Sequence, residues 1–205
     1  LHIDITPSIS RLDIQIPSNN ARKFKILWFI PYLMTKNLDT DGLCSIAHRY
    51  DLFYIDLWGV VHNGIKLYEG AIGTLKELKR NNKDFVLLTN APRPNDTVKK
   101  FLEKMGMEEE LRDHVFTSGE AALNYLKKSY SSKKFFHIGP PRDFDLFNPF
   151  KKNKSSDLVD SEYLLCTGLF DDHNNDLNYY KNLFEAHIHK KMICTNPDLI
   201  VDRGN

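Results

Sequence analysis

The sequence predicts an α/β protein built on a parallel sheet, followed by a second and smaller α/β unit. Three observations predict this. Short apolar runs, Leu52–Asp56 and Asp84–Leu88, stop abruptly at polar residues, as buried strands of parallel sheets do. Between them, Glu69–Asn82 places Ile72, Leu75 and Leu78 at helical spacing. The alternation then repeats through the strand Val115–Thr117 and the helix Ala121–Lys128, the pattern of successive βαβ units.

Taken in order, residues 1–40 differ from the rest. Ile3, Ile5, Leu12, Ile14 and Ile16 alternate with polar residues in pieces broken by Pro7 and Pro17, which fits small edge strands or coil. The apolar run Ile26–Met34 is too short to span a bilayer and contains Pro31. It reads as a packed strand or a loose extension, and the segment has no assignable role. The chain opens at Leu1 rather than Met, as expected of a cleaved product or a fragment. Leu43–Arg49 is a short helix leading into the strand that ends at Asp56. Asn95–Met105 carries Val98, Phe101, Leu102 and Met105 on one side and stops at Gly106. Near Ser132 the second unit begins. It has strands at Phe135–Ile138, Tyr163–Thr167 and Met192–Thr195, and a helix at Asp176–His189. Residues 144–161 read as a polar, lysine-rich loop.

Composition narrows the function classes. With 205 residues, 41% hydrophobic and 27% charged, the chain is an ordinary globular one, a large domain or a core with an insert. A net charge of +1 supplies no field toward nucleic acid or membrane. The three cysteines, Cys44, Cys166 and Cys194, show no metal spacing. Their odd number argues against a disulfide framework and for a reducing, cytoplasmic setting.

Three strand ends present polar groups: Asp56, then Thr89-Asn90, then Asn196-Pro197-Asp198. Ligands of open parallel sheets bind beyond the carboxyl ends of the strands. One strand-end carboxylate alone is an ordinary feature; three such ends form a constellation.

The motifs Asp56-Leu57-Trp58-Gly59-Val60-Val61-His62-Asn63-Gly64, Tyr68-Glu69-Gly70-Ala71, Leu87–Arg93, Thr117–Ala121 and Thr195–Asp198 resemble, in the same order, those of the haloacid dehalogenase-like hydrolases of type IIA. The likeness is to the NagD-like group, and within it to a subgroup with Asp-x-Trp-Gly-Val-x-His in its first motif. The resemblance implies a Rossmann-like core with an inserted α/β cap of the C2 type. On it, 1–40 is an extension, 41–131 the first half of the core, 132–200 the cap and 201–205 the return to the core. It implies phosphoryl transfer from a small phosphorylated metabolite to Asp56, then hydrolysis. It further implies Mg²⁺ held by Asp56 and the backbone carbonyl of Trp58, a phosphate-binding hydroxyl at Thr89, and substrate contacts at Asn90, Asn196 and Asp198. An Asn-Pro-Asp turn explains the last two equally well. Caps of this type also pair, so a homo-oligomer or a complementing chain is expected as a partner.

Two departures matter. Trp58 stands where the family has a second Asp as acid/base, and an indole N–H only donates. His62 is a candidate substitute, because imidazole titrates near neutrality; a structural or solvent-facing His is the competing reading. The later Gly-Lys-Pro and Gly-Asp motifs do not occur before the chain stops at Asn205, so the core is expected to be incomplete and truncated. The main expectation is thus a phosphatase-type hydrolase working through an aspartyl-phosphate. The alternative is a degenerate, non-catalytic fragment that binds a phospho-ligand or a partner.

Overall fold

The computed structural model describes residues 42–196. Expectations for residues 1–40, with the run Ile26–Met34, and for Asp198 lie outside these. From Leu43 onward the described residues belong to one compact unit.

A short helix α1 (Cys44–Ala47) precedes β1 (Leu52–Asp56), and α2 (Glu69–Arg80) leads to β2 (Asp84–Thr89). Next come α3 (Asn95–Lys104), a four-residue α4 (Glu109–Arg112) and β3 (Val115–Thr117). The three strands pair in parallel in the order β1-β2-β3. Helix α2 buries Leu75 and Leu78, keeps Glu69 in its first turn and Lys79 and Arg80 in its last, and so complements its own dipole. Helix α3 ends where Gly106 turns at φ 88°, a conformation that costs glycine little.

Helix α5 (Ser118–Ser129) connects to a second parallel sheet, β4 (Phe135–Ile138), β5 (Tyr163–Cys166) and β6 (Lys191–Cys194), in that order. Helix α6 (Leu177–Glu185) crosses between β5 and β6. Helix α5 begins three residues earlier than its apolar pattern indicates, because the Thr117 hydroxyl caps it by accepting from the Glu120 N–H at 2.8 Å. Helix α6 ends four residues before the predicted His189 and continues as turns. None of the helices among the described residues is long and apolar enough to cross a membrane.

Two expectations are corrected. Among the described residues, the strands of the first sheet are covered on one face only. Phe53, Ile55, Phe85, Leu87 and Val115 pack with α2 and α3, whereas Leu52, Tyr54, Leu88 and Phe116 on the other face are exposed, Tyr54 to 69%. Unbroken apolar runs match strands covered twice, and among the described residues helices lie on one side. The second correction concerns the stretch read as a polar loop. Pro141–Asn153 winds as 3₁₀ helix, kinked at Phe147. It buries Leu146, Phe147 and Phe150 against Phe135, Tyr163, Leu123 and Leu126. The second sheet's other face packs Ile138 and Leu164 on Tyr180 of α6, so this sheet is covered on both sides.

Inside the second sheet His137 is buried, with its Nε2 2.8 Å from the Thr167 hydroxyl and its ring against Phe144 and Phe147. Burial, helped by the Lys154 ammonium, pushes its pKa down from 6.5 to about 4. A depressed histidine stabilises the fold above its unfolded pKa and loses that stability as pH falls through the folded one. The window is therefore pH 6.5 to 4, and the loss is about 3 kcal/mol. Asp143, raised by burial, works in the opposite sense over acidic pH. Urea titrations at pH 7 and pH 4 should show wild type losing about 3 kcal/mol more than His137→Asn. Equal losses would remove His137 as the responsible group.

Candidate active site

Asp56 is the last residue of β1, level with Leu88 of β2, and its side chain is exposed. The chain then dives: Leu57 is buried and its N–H donates to the Leu88 carbonyl at 3.1 Å. Residues 57–67 fold into a tight flap. The Val61 and His62 N–H groups both donate to the Leu57 carbonyl, and the Gly59 N–H donates to the His62 carbonyl at 2.8 Å. Isolated bridges join Trp58 to His62 and His62 to Leu67. Asn63 Oδ1 accepts from the Ile65 and Lys66 N–H groups, each at 3.0 Å, the local turn that asparagine favours. Gly64 sits at φ 85°, and a Cβ there would lie 2.6 Å from Cη2 of Trp58. The indole thus lies across a glycine that has to be a glycine.

His62 is resolved by this flap. It is 4% exposed, its Nδ1 accepts from the Gly64 N–H at 3.0 Å, and its ring meets Trp58 and Phe101 edge-on at 5.4 and 5.7 Å. Burial lowers its pKa, opposed by the Asp56 carboxylate. A neutral imidazole accepting at Nδ1 carries its proton on Nε2. These contacts are those of a structural histidine holding the flap.

Thr89 ends β2, level with Thr117 of β3. Its hydroxyl oxygen accepts from the Ala91 N–H at 3.2 Å, which leaves the O–H proton to donate. The loop from Asn90 to Asn95 is clamped to the start of α5. The Ala91 carbonyl accepts from the Gly119 N–H and the Ser118 hydroxyl, both at 3.1 Å. The Arg93 carbonyl accepts from the Thr117 hydroxyl at 2.5 Å. Thr117-x-x-Glu120 has the spelling of a capping box, but half of it is spent on this loop. Glu120 Oε2 accepts from the Asn95 N–H at 3.1 Å, and Asn95 Oδ1 accepts from the Thr117 N–H at 3.0 Å.

Two side chains from this region reach the 3₁₀ run. Arg93 Nε lies 3.4 Å from Asp143 Oδ1, with Asp143 5% exposed. The Thr97 hydroxyl donates to Asp145 Oδ2 at 2.6 Å. The motif reading missed these partners, since Thr97 and Asp145 are 48 residues apart. The available signal was Arg93 itself, at the end of a motif that closes a strand.

The structure therefore brings Asp56, Thr89 and Asn90 to the carboxyl ends of two neighbouring strands. Asn196 follows β6, at the equivalent end of the second sheet. Among the described residues no cluster of three or more His, Cys, Asp or Glu side chains could hold a metal ion. One carboxylate at Asp56 with a neighbouring backbone carbonyl is a hard oxygen set. It fits Mg²⁺ in kind, because that ion keeps several waters and takes one or two carboxylates plus substrate phosphate. A cavity of about 790 Å³ lies elsewhere, along α1 and α2, lined by Leu43, Cys44, Gly73, Thr74, Glu77 and Asn81 among others. No strand-end candidate lines it.

Residues 53–149 match the family model described as haloacid dehalogenase-like hydrolase. The sugar-phosphatase AraL of Bacillus subtilis (strain 168) is 36% identical over 86 residues, 42% of this chain and 31% of that protein. A solved hydrolase of the haloacid dehalogenase-like family from Brucella suis 1330 superposes with a TM-score of 0.69 at 30% identity, over 79% of this chain and 59% of that one. NagD from E. coli K-12 gives a TM-score of 0.53 at 21% identity, over 76% and 60%, and shows the fold alone. The chain thus spans less than two thirds of the length of each of these relatives. The family-model match over residues 53–149 and the likeness to the Brucella suis hydrolase make this chain similar to the haloacid dehalogenase-like hydrolases, and it shares the fold of NagD.

Proposed function

We propose that the chain is the phosphoryl-transfer part of a phosphatase-type hydrolase acting on a small phosphate monoester. The observation that carries this is Asp56: an exposed carboxylate at a strand end beside Thr89, with the loops on both sides locked. An Asp56 oxygen attacks phosphorus, the ester P–O bond breaks and the alcohol departs. Water then attacks the aspartyl-phosphate and releases phosphate. Thr89 donates its free O–H proton to a phosphate oxygen. Asn90, Asn196 and Asp198 contact the rest of the substrate, with residues 132–200 acting as the cap. Asp56 and the Trp58 carbonyl would hold Mg²⁺, which supplies neutralisation of the phosphate charge when bound. Cys44, Cys166 and Cys194, which form no disulfide, support a cytoplasmic setting.

Trp58 limits the chemistry. Its indole cannot give a proton to a leaving alkoxide as a carboxylic acid does, and His62 is occupied by the flap. General acid catalysis is worth roughly 10²–10⁴ in rate. One relative is named a sugar-phosphatase and another, from Thermotoga maritima, a 4-nitrophenylphosphatase. With Mg²⁺ present, kcat for 4-nitrophenyl phosphate should exceed that for a sugar phosphate by about 10²-fold or more. Equal values would count against the assigned role of Trp58. The same residue favours a second reading, a non-catalytic member that binds phospho-ligands. Calorimetry showing phosphate-ester binding without turnover of either substrate would establish it.

A further inference from the structure

Cys166 and Cys194 are the last residues of β5 and β6, and their Cα atoms are direct partners in the parallel ladder. Partners in register point to the same face of a sheet, here the face packed by α6, where Cys166 touches the cluster around Tyr180. The two thiols have matching surroundings. Each Sγ donates to the carbonyl two residues on, Cys166 to Gly168 at 3.5 Å and Cys194 to Asn196 at 3.4 Å. Cys194 is exposed, whereas Cys166 is partly buried. Neighbouring strands lie about 4.7–4.9 Å apart, inside the 4.4–6.8 Å Cα separation of disulfides. Side chains of parallel partners run side by side rather than converging, so a bond between them is strained and easily reduced.

We propose that Cys166 and Cys194 form a reversible redox site, a closely spaced dithiol that closes to a disulfide by exchange with a small disulfide oxidant and reopens with a thiol. The Cys194 thiolate attacks one sulfur of the oxidant, whose S–S bond breaks and releases one thiol. Deprotonated Cys166 then attacks the Cys194 sulfur, and the second thiol leaves. The protein loses two electrons and two protons, and the oxidant gains both. Closure removes both thiol hydrogen bonds, those to the Gly168 and Asn196 carbonyls. The pair lies on the second sheet and Asp56 on the first, and the proposal does not depend on the phosphatase reading.

The pairing is tested on the full chain in native buffer with oxidised glutathione, followed by peptide mass spectrometry. Wild type should yield a Cys166–Cys194 cross-link that dithiothreitol reverses, with Cys44 outside it. Cys166→Ala should stop at a stable Cys194–glutathione adduct, and Cys194→Ser, a change at an exposed position, should give no cross-link. Burial and the neighbouring Cys194 push the Cys166 thiol up to about 12. Decay of the mixed disulfide should therefore accelerate roughly tenfold per pH unit between pH 7 and 9, because only the thiolate attacks. A wild-type adduct as long-lived as that of Cys166→Ala, or a cross-link that forms only in denaturant, would overturn the proposal.

Discussion

Asp56→Asn should reduce phosphate release from 4-nitrophenyl phosphate by on the order of 10³-fold or more, while the protein stays folded. The carboxamide is nearly the same shape, but it has lost the charge and the nucleophilic oxygen. Asp56 is exposed at the strand end, and surface changes away from special features stay within about 0.5 kcal/mol. Unfolding midpoints should therefore coincide for the two proteins, which separates a chemical loss from a structural one. A second readout is independent of turnover. Asp56 holds the His62 pKa up against burial, so the variant should move the His62 imidazole titration, followed by NMR, to lower pH. Retained turnover would remove Asp56 as nucleophile. An unmoved His62 would show that the two groups do not face each other across the flap.

Gly119→Ala should cost about 2–3 kcal/mol and lower the melting midpoint by roughly 5–10 °C. Helix propensity argues the other way, since alanine in a helix gains about 1 kcal/mol over glycine. Packing wins because a Cβ at 119 would stand 2.3 Å from the Arg93 nitrogen and 2.4 Å from its oxygen. Both are backbone atoms in a loop clamped by the Ala91 and Arg93 carbonyls, so no side chain can swing aside. The loop from Asn90 to Asn95 has to shift, and Thr89 at its root shifts with it. A misplacement near 1 Å can cost about 10²-fold in rate, so kcat falls along with stability. Gly73→Ala in α2 is the control, because a Cβ there meets nothing within 4 Å. It should be neutral or stabilising by up to about 1 kcal/mol. If both variants behave alike, the close approach at Gly119 does not govern the loop.

The legible part of the fold was the part governed by local pattern. Apolar runs ending at Asp56, Thr89 and Thr117 marked the first sheet, and helical spacing in α2 and α3 marked what covers it. The strand ends then pointed to the candidate site. Less legible was anything decided by contacts across the chain. Pro141–Asn153 hides its buried Leu146, Phe147 and Phe150 among lysines, two prolines and aspartates, at 3₁₀ rather than 3.6-residue spacing. Helix α4, four residues long, is too short to show a period. The ion pair of Arg93 with Asp143 and the Thr97–Asp145 hydrogen bond join distant segments, and no local rule proposes either. His62 was ambiguous by type, and only the Gly64 N–H at its Nδ1 and the rings of Trp58 and Phe101 decided its role.

Both sheets pair their strands strictly in chain order. Lys83 meets Asp51 across 32 residues, and the Lys134 N–H meets Glu162 across 28. Parallel sheets usually fold slowly, because long loops must close before their contacts form. Here each closure is short, and its entropy grows only with the logarithm of loop length. Among the described residues, the three strands of the first sheet have all been synthesised at Thr117, before any strand of the second. Assembly can then follow the direction of translation, one crossover at a time, and among the described residues no early strand waits for a distant partner in the other sheet.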